Sequence, residues 1–222
     1  MFSNLNKMTA EFIGTAVLTC VVIGSGILGD RLSADNGVSL LSHAISIIAG
    51  LTVLMLVLAP ISGAHLNPIV SLVNFVAKTQ NLAKTVGYIV AQFLGAIFGA
   101  AVANLMYSLP AIQISNHPRI DAGTFLGEVI ATSGLVAVIG ILSALGYEKF
   151  TIAGVAGWVL SAIFFTSSTS FANPALTVAR EFSNTFAGIS PGSVLPFIAA
   201  QLVGGALGYA ATRAVARRTS KA

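Results

Sequence analysis

Charged residues are scarce in this sequence. Of its 222 residues only 8% are Asp, Glu, Lys or Arg, whereas 55% are hydrophobic. Water-soluble domains carry about 25% charged residues, so the composition excludes an ordinary soluble protein and predicts an all-α membrane protein whose surface faces the lipid bilayer. A single cysteine, Cys20, excludes an intrachain disulfide.

Patterns that would indicate catalysis are also missing. The three histidines, His43, His65 and His117, are not spaced like metal ligands. The sequence has no nucleotide-binding loop and no nucleophile–base–acid pattern. We therefore expect no enzyme activity, no metal and no cofactor.

The few cations are unevenly distributed along the chain. Eight of the eleven fall in one set of connections between apolar segments, and they are Lys7, Lys78, Lys84, Lys149, Arg213, Arg217, Arg218 and Lys221. Cytoplasmic loops carry the excess of Lys and Arg. The pattern predicts a multi-pass protein of the bacterial inner membrane with both termini in the cytoplasm. A basic tail beside a membrane segment is a topology signal, so we expect no nucleic-acid partner.

Six apolar stretches are candidates for crossing the membrane. A helix needs about 20 apolar residues to do so, and the stretches lie near 9–28, 38–59, 85–107, 122–145, 150–166 and 194–215. The fifth reaches this length only if it begins at Glu148 or Lys149. The first has no convincing cleavage site, so we interpret it as a span and not as a signal peptide.

Two further apolar segments, near 67–77 and 173–183, are too short to cross, and each begins with Asn-Pro. Asparagine is a good helix N-cap, and proline is favoured at the first helical position. Each motif therefore predicts the start of a re-entrant half-helix. Irregular backbone is tolerated at membrane depth where it lines a water-filled cavity.

The two halves of the chain resemble each other. Three elements recur in the same order: "AEFIGT" with "GEVIAT", Asn67-Pro68 with Asn173-Pro174, and "QFLGAIFG" with "QLVGGALG". Three spans per half is an odd number, so the second half must enter the membrane upside down, as in transporters built from inverted repeats. We predict one channel domain over 1–222, with repeats at about 8–108 and 122–216 and a basic tail at 217–222.

These motifs resemble those of the aquaporin and aquaglyceroporin family, the major intrinsic proteins. "SGAHLNP" and "FANPA" are similar to its two Asn-Pro-Ala boxes, the first altered to Asn-Pro-Ile. The resemblance implies six transmembrane helices with two half-helices meeting at the centre. It also implies a homotetramer with one pore per subunit, passing water and small neutral solutes but no ions.

A pore of this kind agrees with elementary electrostatics. Opposed half-helices would direct their positive dipole ends at one point, where Asn67, Asn173, Pro68 and Pro174 form the pore centre. The half-helix dipoles would repel cations and hydronium. Loop carbonyls would line the pore on either side, at Gly63, Ala64, His65, Ser168 and Thr169.

Buried polar residues would support these loops. The resemblance implies that Glu11 and Glu128 hold the loop backbone and line the cytoplasmic half of the pore. Gln92 and Gln201 are expected to brace helices or loops. The G-x-x-x-G pairs Gly95/Gly99 and Gly204/Gly208 predict close helix contacts.

The sequence departs from the family pattern at the selectivity filter. Leu176 follows the second box, where water-selective members have arginine. The other filter positions correspond to Ser161, Ser170 and either Ile47 or Ala49. The filter is therefore expected to be wide and weakly polar. It would admit glycerol, urea, neutral arsenite or small organoarsenicals, in keeping with a resemblance to bacterial arsenic-resistance channels that lack the filter arginine.

Arg180 leaves an alternative open. It lies one helical turn beyond Leu176, and helical side chains lean toward the N-terminus, so it would reach back over the pore mouth and give a water-selective channel. We favour a solvated Arg180 paired with Glu181. A coupled secondary transporter is a weaker alternative, because neither Asn-Pro box has an acidic residue beside it. A membrane structural protein with a closed pore is a further alternative, and it would show no flux.

Overall fold

Eight α-helices make up the fold in the computed structural model, which describes residues 2–219. In chain order they are α1 (Asn4–Leu32), α2 (Asn36–Ser62), α3 (Pro68–Val76), α4 (Leu82–Met106), α5 (Ala122–Ala144), α6 (Thr151–Phe165), α7 (Pro174–Arg180) and α8 (Pro191–Thr219). A single 3-10 turn at Glu148–Phe150 precedes α6. No strand occurs within these residues.

All six predicted spans are confirmed as helices long and apolar enough to cross a membrane. The fifth reaches 18 residues by including its 3-10 turn from Glu148. Helix α8 continues through Arg217 and Arg218 to Thr219, so the predicted basic tail begins as helix. Lys221 lies outside the described residues.

The two short segments are half-helices, as predicted. Asn67 caps α3 by accepting a hydrogen bond from the Ile69 amide at 2.9 Å, and Asn173 caps α7 through the Ala175 amide at 3.1 Å. A proline occupies the first turn of each helix. With 9 and 7 residues, they extend only about 10–14 Å, far less than the thickness of a bilayer.

Glycines bring the long helices together in matching pairs. Helix α1 packs on α4, and α5 packs on α8. A Cβ atom would overlap a carbonyl oxygen of the facing helix at four glycines: Gly95 with Phe12, Gly99 with Ala16, Gly204 with Val129, and Gly208 with Ser133. Both predicted glycine pairs therefore form close contacts, and they do so in the same way in each half.

The outer surface is apolar. Large hydrophobic side chains are exposed on several long helices, among them Leu56, Phe98, Leu126 and Leu195. A surface of this kind is expected where lipid replaces water as the surrounding medium. Several buried polar residues, among them Glu11, Asn67, Glu128 and Asn173, lie around the starts of the half-helices.

Candidate functional site

A cavity of about 280 Å³ lies where the two half-helices meet. Asn67 and Asn173, at the two helix starts, are both in its wall. Asn74, seven residues along α3, lines one end, and Arg180, seven residues along α7, lines the other. The cavity therefore extends along both half-helices from the asparagine pair.

The two asparagine side chains are oriented by reciprocal hydrogen bonds. Asn67 Nδ2 donates to the carbonyl of Ala172 at 2.8 Å, and Asn173 Nδ2 donates to the carbonyl of Leu66 at 2.8 Å. Each side-chain oxygen is used as a helix cap. Because an amide nitrogen carries two protons, one N–H of each asparagine is left for a molecule in the cavity.

The loops before the half-helices adopt matching left-handed conformations. Positive φ angles occur four, three and one residues before each asparagine, at Gly63, Ala64 and Leu66 and at Thr169, Ser170 and Ala172. Five of these six residues are not glycine, and each left-handed conformation costs a non-glycine residue about 1–2 kcal/mol. The loops therefore need strong external restraint.

Glu11 provides that restraint in the first half. Its Oε1 accepts hydrogen bonds from Ser62 Oγ at 2.6 Å and from the His65 amide at 2.9 Å. Its Oε2 accepts from the Leu66 amide at 2.7 Å and from Gln92 Nε2 at 2.8 Å. Four charge-assisted hydrogen bonds make this buried carboxylate an anchor for the loop.

Glu128 makes the corresponding bonds in the second half. Its Oε1 accepts from Ser168 Oγ at 2.7 Å and from the Phe171 amide at 2.8 Å. Its Oε2 accepts from the Ala172 amide at 2.9 Å and from Gln201 Nε2 at 2.6 Å. Gln92 and Gln201 thus brace the loops.

Some of the predicted pore-lining residues do not reach the cavity. Glu11 and Glu128 are fully buried behind the loops and are not in its wall. The prediction that they line the pore is therefore wrong. Ser168 is also outside the wall, because its side chain is turned to Glu128. Pro68 and Pro174 are buried in the first turns of α3 and α7, beside the cavity but not in its wall.

The other loop residues do line the cavity. Gly63, Ala64 and His65 lie in its wall on one side of the asparagines, and Thr169 and Ser170 lie in it on the other. Loop residues therefore line the cavity on both sides of its centre.

The expected filter is only partly assembled. Ile47, Ser170 and Leu176 line the cavity, whereas Ala49 is exposed elsewhere on α2. The assignment of Ser161 is wrong, since this residue is exposed and absent from the wall. Residues four apart share a helix face, and the face of α6 in the wall consists of Thr151, Val155, Val159 and Ile163. Ser161, two residues from Val159, points away from it.

The position of Arg180 also differs from the favoured prediction. The side chain is only 6% exposed and lies in the cavity wall, so it is not a solvated partner of Glu181. Its Nε donates to the carbonyl of Ala187, and its guanidinium carbon lies 3.3 Å from the ring centroid of Phe171. The loop after α7 folds back and supplies the carbonyl that holds this cation.

Arg119 reinforces the positive potential at this end. It lies in the connection between α4 and α5 and donates to the carbonyls of Gly188 at 2.5 Å and Phe186 at 2.7 Å. Burial lowers the pKa of its guanidinium. Two arginines therefore bind three consecutive carbonyls of one loop, at residues 186–188.

Sequence reasoning missed three polar residues of the wall: His43, Asn74 and Thr151. His43 lies four residues before Ile47 on α2, and thus on the same helix face. Once Ile47 is assigned to the wall, the helical period therefore also predicts His43 there.

Comparisons with known proteins agree with this geometry. A family model described as "Major intrinsic protein" matches residues 1–151. The chain is 40% identical over 213 residues to aquaglyceroporin AqpS of Rhizobium meliloti (strain 1021), covering 96% of this chain and 91% of that protein. It is 31% identical to aquaporin Z of Brucella melitensis, covering 92% and 95%. The crystal structure of the aquaglyceroporin from Plasmodium falciparum superimposes with a TM-score of 0.72 at 26% identity, covering 99% and 100% of the two chains.

Proposed function

Since this chain belongs to the major intrinsic protein family, whose members are channels and not enzymes, we propose that it conducts small uncharged solutes and water passively through the cavity described above. Glycerol-like polyols, urea and neutral arsenite are the solutes proposed. The observation that carries this proposal is Leu176 in the cavity wall, at the position directly after the second box.

The lining supports solutes larger than water. Much of the cavity wall is apolar and includes Ile47, Leu51, Val159 and Leu176. The two asparagines and polar residues of the loops add hydrogen-bonding groups to this wall. A polyol has carbon atoms on one face and hydroxyl groups on another, so it can contact apolar and polar lining groups at once. Selectivity in such pores depends on diameter and on the groups that line it.

Charge in the wall supports exclusion of protons and cations. Positive helix ends meet at Asn67 and Asn173, and Arg180 adds a cation at one end. Among the described residues, the cavity wall contains no Asp or Glu. Coupled transporters bind their driving ion at such groups, so the wall argues for passive flux.

The same proposal includes a topology and an assembly. The cation-rich connections hold Lys7, Lys78, Lys84 and Arg213, and we place them in the cytoplasm of a bacterial cell, with the protein in the inner membrane. The Arg180 end of the cavity then opens to the outside. The apolar outer surface supports contact with lipid and with other subunits of a homotetramer.

One observation favours a second candidate, a water-selective channel. Arg180 is buried in the cavity wall, one turn from the position where water-selective relatives would place arginine. In that case Arg180 narrows the pore in spite of Leu176.

Stopped-flow measurements on proteoliposomes test the two candidates. Water, glycerol, urea and arsenite are applied in turn, with empty liposomes as the baseline. We expect fast flux of water and glycerol that is unchanged by proton or sodium gradients. Fast water with no solute flux would favour the water-selective channel, and an absence of all flux would contradict both.

A further inference from the structure

The two halves of the fold differ in the connection that follows each half-helix. The connection after α7 covers residues 181–190, whereas the one after α3 covers only residues 77–81. The longer connection folds back against α1, where a Cβ atom on Gly26 would lie 3.1 Å from Ala187 Cβ. It also supplies the Ala187 carbonyl that binds Arg180. The shorter connection has too few residues to fill the equivalent space in the first half.

A second cavity of about 280 Å³, the side cavity, lies among α3, α5 and α8. The repeat relates it to the space that the longer connection fills. Counted from the paired asparagines, Asn74 is the equivalent of Arg180, and counted from the paired glutamates, Ser143 is the equivalent of Gly26. Asn74 and Ser143 both line the side cavity. The side cavity therefore lies where the first half lacks the folded-back loop.

The side cavity adjoins the cavity between the half-helices, which is the conduction cavity. Val70, Asn74 and Ile139 line both of them. Tyr209 of α8 lines only the side cavity, and in the described part of the chain no residue of α8 lines the conduction cavity. Asn74 is fixed in the shared wall by Thr79, whose Oγ1 donates to Asn74 Oδ1 at 2.7 Å. A molecule in the side cavity would therefore contact wall residues of the pore.

The side cavity is apolar inside and carries hydroxyl groups at its opening. Val73 and Val136 contribute apolar side chains, and Val136 is buried. Thr79 and Ser143 are exposed, so the cavity opens to the surface beside them. Tyr209 is partly buried in the wall, and among the described residues its hydroxyl has no hydrogen-bond partner. This lining fits a short amphiphile whose polar head stays near the opening.

Charge at the opening favours an anionic head. Lys78 lies between two wall residues in the connection after α3. Arg213 lies one turn beyond Tyr209 on the same face of α8. Both cations are exposed. Glu148 is the acid at this opening, with its Oε1 3.4 Å from Ser143 Oγ. Two cations against one carboxylate leave the opening positively charged.

We propose that the side cavity binds a medium-chain carboxylate. Its alkyl chain lies against Val73 and Val136, and its carboxylate accepts hydrogen bonds from the Tyr209 hydroxyl and from Arg213. Because the bound molecule contacts Asn74 in the shared wall, it lowers flux through the conduction cavity. This effect on flux rests on the proposed channel function, whereas binding does not.

Binding of radiolabelled octanoate to the protein in nanodiscs tests the site, with empty nanodiscs as the baseline. We expect saturable binding that unlabelled octanoate displaces. Octanol should displace it less well because it has no charge, and octylammonium least of all because its charge has the opposite sign. An absence of saturable binding, or equal displacement by octylammonium and octanoate, would overturn the site.

Two variants locate the bound molecule. A144F places an aromatic ring in the wall at the end of α5, and we expect the loss of saturable binding. A210F is its control, because it adds the same ring to an exposed position of α8 outside the wall. R213Q should weaken octanoate binding about threefold, as for an exposed charge pair, whereas R218Q removes an exposed charge farther along α8 and should not. Unchanged binding in A144F or in R213Q would contradict the assignment.

Water flux in proteoliposomes tests the link to the pore. Octanoate should lower the flux of the wild type but leave that of A144F unchanged. Bound octanoate that does not slow a conducting wild-type protein would overturn the link. A wild-type protein that conducts neither water nor solutes would instead overturn the proposed function, and the nanodisc measurement would still decide whether the site exists.

Discussion

Glu11 and Glu128 accept the same four kinds of hydrogen bond in opposite halves of the fold. Each takes one from a serine hydroxyl, two from consecutive loop amides and one from a glutamine. Both strained loops are therefore restrained by the same arrangement of hydrogen bonds to a buried carboxylate. The carboxylates act from behind the cavity, so their contribution to conduction is indirect, through the loop backbone that they fix.

Replacement of Glu11 by glutamine should destabilise the protein and reduce flux. The amide group has one acceptor oxygen in place of two, and its NH₂ would face donors. Hydrogen bonds to charged groups contribute about 1.5–3 kcal/mol each, so we expect the free energy of unfolding to fall by about 3 kcal/mol. Thermal unfolding in detergent and water flux in proteoliposomes measure the two effects.

E148Q is the control for this change, because Glu148 is exposed in the 3-10 turn before α6. It should leave Tm and flux as in the wild type. An E11Q protein with wild-type Tm and flux would show that the loop does not depend on the carboxylate.

Replacement of Asn67 by aspartate should weaken the exclusion of cations. The variant loses the N–H that donates to the Ala172 carbonyl and sets a carboxylate against that oxygen. It also places a negative charge where the positive helix ends meet. We expect lower water permeability and a measurable proton leak, followed with a pH-sensitive dye inside the liposomes.

N116D is the matched control, since Asn116 is exposed in the connection between α4 and α5. It introduces the same charge away from the cavity and should not raise the proton permeability of the liposomes. If liposomes with N67D leak protons no faster than liposomes with N116D, the proton barrier does not depend on the asparagine pair.

Replacement of Leu176 by arginine tests the width of the constriction. The longer, charged side chain would enter the wall beside Ile47 and leave less room for a polyol. We expect glycerol flux to fall at least tenfold while water flux changes much less. L176A, which shortens the same side chain, should keep or raise glycerol flux. Full glycerol flux through L176R would contradict the idea that Leu176 makes the pore wide.

Local sequence signals were sufficient to predict the helices and the centre of the cavity. Asn67 and Asn173 each cap a helix through an amide two residues farther along the chain. The membrane spans are predicted by the length of the apolar stretches. The repeat then placed the caps opposite each other. These features depend on neighbours in the sequence, which is why they were predictable.

The errors concern contacts between distant segments. Ser161 was assigned to the wall, but the rotation of α6 is set by Trp158, whose Nε1 donates to the Ala131 carbonyl at 2.8 Å and whose ring lies against Gly134 of α5. Arg180 was expected in solvent, but the Ala187 carbonyl and Phe171 hold it in the wall. Neither packing arrangement leaves a periodic signal in the sequence.

Replacement of Gly99 by alanine should loosen the contact between α1 and α4. A Cβ at this position would overlap the Ala16 carbonyl, so one helix has to shift, and overpacking of this kind costs about 1–3 kcal/mol. We expect a lower Tm in detergent and reduced water flux, because the contact involves α1, the helix that carries Glu11.

G157A makes the same chemical change on α6, where no atom lies within 4 Å of the added Cβ. It should leave Tm unchanged or slightly raised, since alanine is the better helix former. Equal Tm values for the two variants would contradict a specific role for Gly99 in helix packing.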